Sequence, residues 1–91
     1  MLKISEAGKE NNSVTLKLEG RVVDEWVGEL QKNCDPLLGN GSRLALDLAG
    51  VSFLDESGVA LLASLRSRGT KLLNATPFVI EQLKGATGIS R

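Results

Sequence analysis

Residues 46–62 read Leu-Asp-Leu-Ala-Gly-Val-Ser-Phe-Leu-Asp-Glu-Ser-Gly-Val-Ala-Leu-Leu, and this stretch decides the fold. Its first part is apolar enough for a buried strand, and its last part, from Val59, begins an apolar helix. Between them lie Asp55, Glu56 and Ser57, where the first backbone N–H groups of the helix lack partners within it. Because the helix dipole favours negative charge there, we expect an acidic turn on a rigid support.

The segment before this stretch predicts a hairpin followed by a helix. Residues 2–5 and 14–19 each alternate apolar and polar side chains, as strands with one buried face do, and a polar stretch over residues 8–13 separates them. A helix then begins at Asp24. Its apolar positions recur at helical spacing and are Val23, Trp26, Val27, Leu30 and Cys34. Pro36 disfavours helix at the residue before it, so we expect the helix to stop or bend there.

The remaining segments predict a strand ended by Gly50, a second helix that starts at the acidic turn, a short strand over 70–74 and a third helix. Thr76 is a suitable N-cap for that third helix, and Pro77 suits its first position. Strands that alternate with helices after an initial hairpin predict an α/β fold. We expect one domain over residues 1–91, with a mixed sheet of about four strands and helices mainly on one face.

Composition excludes several classes of function. Eleven basic and eleven acidic side chains give zero formal net charge, and aromatic residues are few, so nucleic acid is not an expected partner. The chain has no histidine and one cysteine, Cys34, which argues against a metal site and a Cys/His catalytic pair. We interpret Cys34 as a small core residue and expect no cofactor. No apolar run is long enough to cross a membrane and no secretory signal is present, so we expect no membrane insertion and a cytoplasmic location.

From about Val14 to Gly88 the chain resembles the STAS domain, the module of bacterial anti-sigma factor antagonists, of sulfate-transporter tails and of some lipid-transporter accessory proteins. The residues that carry the resemblance are 46–48, 51–55 and 57–62, which are similar to the strand-turn-helix motif of the family. Weaker marks are Gly20, Asn74 and Thr87-Gly88. The resemblance implies a STAS-like fold and a regulatory protein that binds other proteins rather than an enzyme.

Glu56 departs from the family pattern. In the antagonists the motif usually reads Asp-Ser-Ser/Thr-Gly, and the serine after the aspartate is phosphorylated by an anti-sigma factor kinase. Glutamate has no hydroxyl to phosphorylate. The resemblance therefore implies that Glu56 occupies the position of the phosphorylated serine but cannot itself be phosphorylated. One negative charge and two oxygens imitate phosphoserine in part, since phosphoserine has a charge of about −1.5 to −2 and three oxygens. A solvated acid at a positive helix end is an equally simple interpretation of Glu56.

The length of the chain is a second departure, because family members commonly continue past Thr-Gly into another strand and helix, whereas this sequence ends at Arg91. The resemblance therefore implies an uncovered sheet edge. Exposed strand edges favour pairing, so we expect a homodimer or docking on a larger partner.

The candidate partner-binding residues are Asp55, Glu56, Ser57 and Gly58. Asp55 also suits the role of N-cap, and Ser57 either satisfies first-turn N–H groups or is modified in place of the missing serine. No histidine or nearby lysine is available to activate Ser57, so we predict no catalytic residue. The two carboxylates would repel a phosphate group, which disfavours a nucleotide site.

Two functions remain open. In the first, the chain is an interaction module similar to an anti-sigma factor antagonist, and a kinase-like regulator binds the acidic turn. In the second, it is an accessory STAS subunit of an ABC-type transporter, such as a phospholipid carrier, and docks on the ATPase. Copurification with one class of ATPase or the other distinguishes them.

Overall fold

A computed structural model describes residues 1–87, with their side chains as far as residue 84. The elements in chain order are β1 (Leu2–Glu10), β2 (Ser13–Val22), α1 (Glu25–Gly39), β3 (Arg43–Leu54), α2 (Glu56–Ser67), β4 (Lys71–Leu73) and α3 (Pro77–Thr87). The strands form one sheet in the order β1-β2-β3-β4, antiparallel between β1 and β2 and parallel between the other pairs. The prediction of a four-stranded mixed α/β sheet is confirmed. Gly88, one mark of the family resemblance, lies outside the described residues.

The helices pack on one face of this sheet, as predicted. Alternate residues of the two central strands point into the core and are almost fully buried, namely Val14, Leu16, Leu18, Leu44, Leu46 and Leu48. All three helices contact β3. On the opposite face Lys17 is exposed, and Lys3 and Lys17 each lie 4.0 Å from a carboxylate oxygen of Glu19. The face of the sheet that carries no helix therefore presents polar side chains such as Lys17 and Glu19.

The first strand is longer than its sequence pattern indicates. Residues 8–10, predicted as loop, continue β1, and the turn that joins it to β2 is only Asn11 and Asn12, with Asn11 at φ 47°. The pairing register shifts between Glu6 and Gly8, so the strand accommodates one extra residue. Both faces of this end are exposed, and backbone pairing with β2 alone holds it. Side-chain periodicity cannot reveal a strand end that buries no side chain.

Helix α1 does not stop at Pro36 but continues to Gly39. Leu37 and Leu38, which follow the proline, are half-buried and pack against the core. Their burial favours continuation of the helix although Pro36 lacks an N–H donor.

Strand β3 also continues through Gly50, where the sequence predicts its end. A Cβ atom at Gly50 would lie 2.9 Å from Glu19 Cγ and 3.0 Å from the carbonyl oxygen of Leu18. Glycine is thus needed where β3 lies closely against β2, at a shift in their register. The continuation carries the strand to Leu54, directly before the acidic turn.

Cys34 is fully buried in the core, as predicted. Burial, with the neighbouring charge of Asp35, raises the pKa of its thiol to about 11. We therefore expect Cys34 of the folded protein to resist alkylation by iodoacetamide at about pH 8, because almost no thiolate is present. Mass spectrometry before and after unfolding in guanidinium measures this. Equal labelling rates in the two states would contradict the placement of Cys34.

Candidate functional site

Asp55 connects the first turns of two helices. One carboxylate oxygen, Oδ1, accepts the backbone N–H of Gly58 at 2.7 Å and so caps α2. The other, Oδ2, accepts the backbone N–H of Asp24 at 2.9 Å, directly before α1. The capping role predicted for Asp55 is thus present, together with a contact to a residue 31 positions earlier. These two bonds, with the one from Asp24 the larger cause, lower the pKa of the Asp55 carboxyl below its ordinary value.

Asp24 has an unusual backbone conformation, with φ 49° and ψ −127°, and its side chain makes no capping bond to α1. Side chains other than glycine rarely adopt a positive φ, and such residues persist where their surroundings hold them. The bond from its N–H to Asp55 is one such restraint. Asp55 therefore fixes the start of α1 as well as that of α2.

Gly58 lies in the first turn of α2 and is buried against the end of β2. A Cβ atom at this position would overlap the backbone carbonyl oxygen of Val22. The same carbonyl accepts the N–H of Asp55 at 3.3 Å. Gly58 is therefore a packing residue that lets α2 start directly over the sheet, and it offers a partner no surface.

Glu56 and Ser57 differ from their two neighbours because their side chains are exposed. Both lie at the first positions of α2, where the positive end of the helix dipole favours the charge of Glu56. The four candidate residues thus separate into two pairs. Asp55 and Gly58 build the turn, and Glu56 and Ser57 are presented to solvent.

Gln82, which belongs to no recognisable sequence motif, holds α3 against the same turn. Its side-chain Nε2 donates to the carbonyl oxygen of Leu54 at 2.7 Å, and its Oε1 accepts the N–H of Leu54 at 3.1 Å. The amide thus pairs with the last residue of β3 as a neighbouring strand would. Strand β4 pairs only with residues 45–47 of β3. Gln82 therefore supplies hydrogen bonds to the N–H and C=O groups of Leu54, which β4 does not reach.

Two exposed aromatic rings lie beside this connection. Phe53 and Phe78 stack with ring centroids 6.2 Å apart and an interplanar angle of 28°. Their exposed fractions are 40% and 53%, high for large apolar side chains. We call Phe53, Glu56, Ser57 and Phe78 the acidic-aromatic surface. The predicted start of α3 at Pro77 places Phe78 in a first helical turn, but nothing in the sequence indicates its stacking on Phe53.

Asp47 lies earlier in β3, away from the acidic turn. Its Oδ1 accepts the backbone N–H of Ala49 at 3.0 Å and the Nδ2 of Asn74 at 3.2 Å. The bond from Ala49, followed by that from Asn74, lowers the pKa of Asp47. Asn74, at φ 58°, directly follows β4, so this pair fixes how the chain leaves the sheet. Asp47 therefore serves the fold rather than the acidic-aromatic surface.

Other kinds of site find no support within residues 1–87. No group of three His, Cys, Asp or Glu side chains in this part of the chain is placed to hold a metal ion. None of the helices described is both long and apolar enough to span a bilayer.

Comparison with known proteins identifies the family. A family model described as "Mlab, STAS domain" matches residues 5–84. The chain belongs to the STAS family. Its fold is similar to that of the anti-sigma factor antagonist SpoIIAA in its unphosphorylated form, with a TM-score of 0.74 and 19% identity over 90% of this chain and 82% of that one.

A second solved structure has the same STAS fold. The STAS domain of an anti-sigma factor antagonist from Rhodobacter sphaeroides matches with a TM-score of 0.63 and 13% identity, over 80% of this chain and 86% of that one. No curated protein matches significantly. Identities this low establish the fold alone.

The packing of Gly58 gives a prediction for stability. Gly58→Ala should lower the free energy of unfolding by about 1–3 kcal/mol, because the added methyl group overlaps the carbonyl oxygen of Val22. Gly28→Ala is the matched control, since Gly28 is exposed in α1 with open space around it, and it should raise stability by about 0.5–1 kcal/mol. Urea unfolding followed by Trp26 fluorescence measures both. Stabilisation by both substitutions would show that α2 does not start against β2.

The lowered pKa of Asp55 gives a prediction for acid stability. A carboxylate with a lowered folded-state pKa stabilises the fold fully above its unfolded-state pKa of about 3.9, and that contribution is lost as the pH falls through the lower folded-state value. Asp55→Asn should therefore be less stable than wild type at neutral pH. The difference in stability between the two proteins should shrink below about pH 4, where the Asp55 contribution is lost. Urea unfolding across this range measures it, with the exposed Glu10→Gln as control. Parallel pH profiles for wild type and Asp55→Asn would refute the capping role.

Proposed function

We propose that this STAS domain is a non-enzymatic interaction module that binds a protein partner through the acidic-aromatic surface. The observation that carries the proposal is the exposure of Glu56 and Ser57 on a turn held by Asp55, three and four residues after Phe53 of the exposed Phe53–Phe78 pair. A rigid turn loses little conformational entropy on binding. Exposed aromatic residues beside a charged group are typical of residues that dominate binding energy at protein interfaces.

The charge of this surface indicates the chemistry of the partner. Glu56 is an acidic side chain, and no cation forms an ion pair with it among residues 1–84. A complementary partner presents a lysine or arginine to Glu56 and an apolar pocket to the two phenylalanines. An anti-sigma factor or a related kinase-like regulator is our first candidate for this partner.

Absence of a hydroxyl at position 56 leads us to propose that the usual serine switch does not operate here. Glu56 offers one fixed negative charge, so the surface would stay in a single state whether or not a kinase is present. Ser57 is exposed at the next position and is the remaining hydroxyl at this turn that a kinase could reach.

Affinity purification of the tagged chain from its native cells tests the proposal. Phe78→Ala should weaken recovery of the partner, and a buried aromatic contact is worth about 2 kcal/mol or about 30-fold in Kd. Glu56→Lys should weaken it also through charge reversal, whereas Glu10→Lys, an exposed reversal at the end of β1, is the matched control. Partner binding that survives both Phe78→Ala and Glu56→Lys would place the interface elsewhere.

Restoring the serine is a separate prediction. Incubation with ATP and the recovered partner should leave the wild-type chain unmodified at position 56, whereas Glu56→Ser should bind more tightly or gain one phosphate. Intact-mass spectrometry and binding titrations measure these changes. Modification of wild type at Ser57 would instead show that a switch survives one residue later. Identical behaviour of wild type and Glu56→Ser would contradict the idea that Glu56 imitates phosphoserine.

A second candidate is a permanent accessory subunit of an ABC-type transporter, such as a phospholipid carrier, docked on its ATPase. The fixed carboxylate at Glu56 favours this candidate, because a permanent subunit needs no switch. The same purification distinguishes the two, since a transporter ATPase would be recovered together with its permease and a sigma regulator would not.

A further inference from the structure

We propose that the groove along the outer edge of β4 binds an extended acidic segment of a partner protein, which adds a strand to the sheet there. β4 is the last strand of the sheet and pairs with β3 on one side only, within the described residues. The free edge of a strand offers backbone N–H and C=O groups to an incoming strand. This location is separate from the acidic-aromatic surface and does not depend on its function.

A groove of about 790 Å³ runs beside this edge, between β4 and α3. Its apolar lining includes Leu72, Leu73, Ile80 and Leu83. Leu73 and Ile80 are 37% and 42% exposed, although the folded chain buries most of its other large apolar side chains. An added strand could place alternate apolar side chains in this groove.

The cations around the groove select the charge of the occupant. Arg66, Lys71 and Lys84 line it, and no Asp or Glu does so among the residues described, although the whole chain has zero net charge. Lys84 lies 4.0 Å from Glu81, whereas Arg66 and Lys71 have no ion-pair partner within residues 1–84. An acidic segment complements this charge. A second copy of the chain would bring the same cations to the contact, which disfavours symmetric pairing of two β4 edges.

Thr70 provides an independent reason to expect a polar occupant. It lines the same groove at 3% exposure, and its Oγ1 has no hydrogen-bond partner in the described part of the chain. A buried hydroxyl without a partner is costly, since it has lost its bonds to water. A carbonyl oxygen from an added strand could accept a hydrogen bond from this hydroxyl.

The groove and the acidic-aromatic surface can be tested separately. Arg66 is near the end of α2 and Glu56 is at its start, so their Cα atoms are about 15 Å apart along the helix axis. Substitutions at Arg66 and Lys71 should therefore leave binding at Glu56 unchanged, and failure of one proposal does not imply failure of the other.

Selection from a phage-displayed library of random peptides on the full chain tests the inference. We expect enrichment of sequences that alternate Asp or Glu with apolar residues. The synthesised peptides should shift the backbone amide resonances of β4 and α3 in NMR titrations. The doubly reversed variant Arg66→Glu/Lys71→Glu should weaken their binding about tenfold and select basic peptides instead. Lys32→Glu, an exposed reversal on α1, is the matched control and should change neither result.

Two further variants test the binding mode. N-methylation of alternate peptide amides should abolish binding in one register and spare it in the other, because only one set of N–H groups faces β4. Thr70→Val should weaken the peptide while raising the melting temperature of the free protein, because it removes a buried hydroxyl that lacks a partner.

Several results would overturn the inference. The first is a peptide selection that shows no enrichment of acidic residues. The second is an NMR titration in which the peptides shift resonances at the start of α2 instead of β4. The third is peptide binding that Arg66→Glu/Lys71→Glu leaves unchanged. If decanoate shifts the β4 amide resonances and no selected peptide does, the groove binds an apolar anion instead of a peptide. A dimer in light scattering that Leu73→Asp dissociates would assign the edge to a second copy of the chain.

Discussion

The carboxylate of Asp55 is the contact on which the arrangement of this domain depends. Its two oxygens bond to backbone N–H groups that lie 31 residues apart in the sequence, at Asp24 and Gly58. Neither N–H has a partner within its own helix, because both are at helix starts. One side chain thereby satisfies a donor at each start and relates α1 to α2. The positive φ of Asp24 and the close packing of Gly58 both depend on this geometry.

A division of roles between adjacent carboxylates follows from this contact. Asp55 uses both carboxylate oxygens to hold backbone N–H groups, whereas the Glu56 side chain makes no hydrogen bond or ion pair with the described side chains and backbone. A serine, a phosphoserine or a glutamate at position 56 would therefore leave the turn unchanged. Glutamate at position 56 suits the start of α2, since the helix dipole favours an acidic residue there.

The sequence could predict those features whose cause is local. The cap from Asp55 to Gly58 spans three residues, and the starts of α2 and α3 follow from the adjacent residues alone. Contacts from distant segments could not be predicted in this way. The bond from Asp24 to Asp55 and the pairing of Gln82 with Leu54 join residues 31 and 28 positions apart. Local rules also failed at Pro36 and Gly50, where tertiary packing continues an element that the residue type alone would end.

Zero net charge conceals an uneven distribution of charge over the molecule. The start of α2 carries the exposed Glu56, and the groove at the β4 edge carries Arg66, Lys71 and Lys84 without an acidic neighbour in its described lining. At physiological ionic strength the Debye length is about 8 Å, so surfaces about 15 Å apart along α2 act almost independently. A basic partner at Glu56 and an acidic segment at the β4 edge would therefore each be attracted to its own surface with little influence from the other.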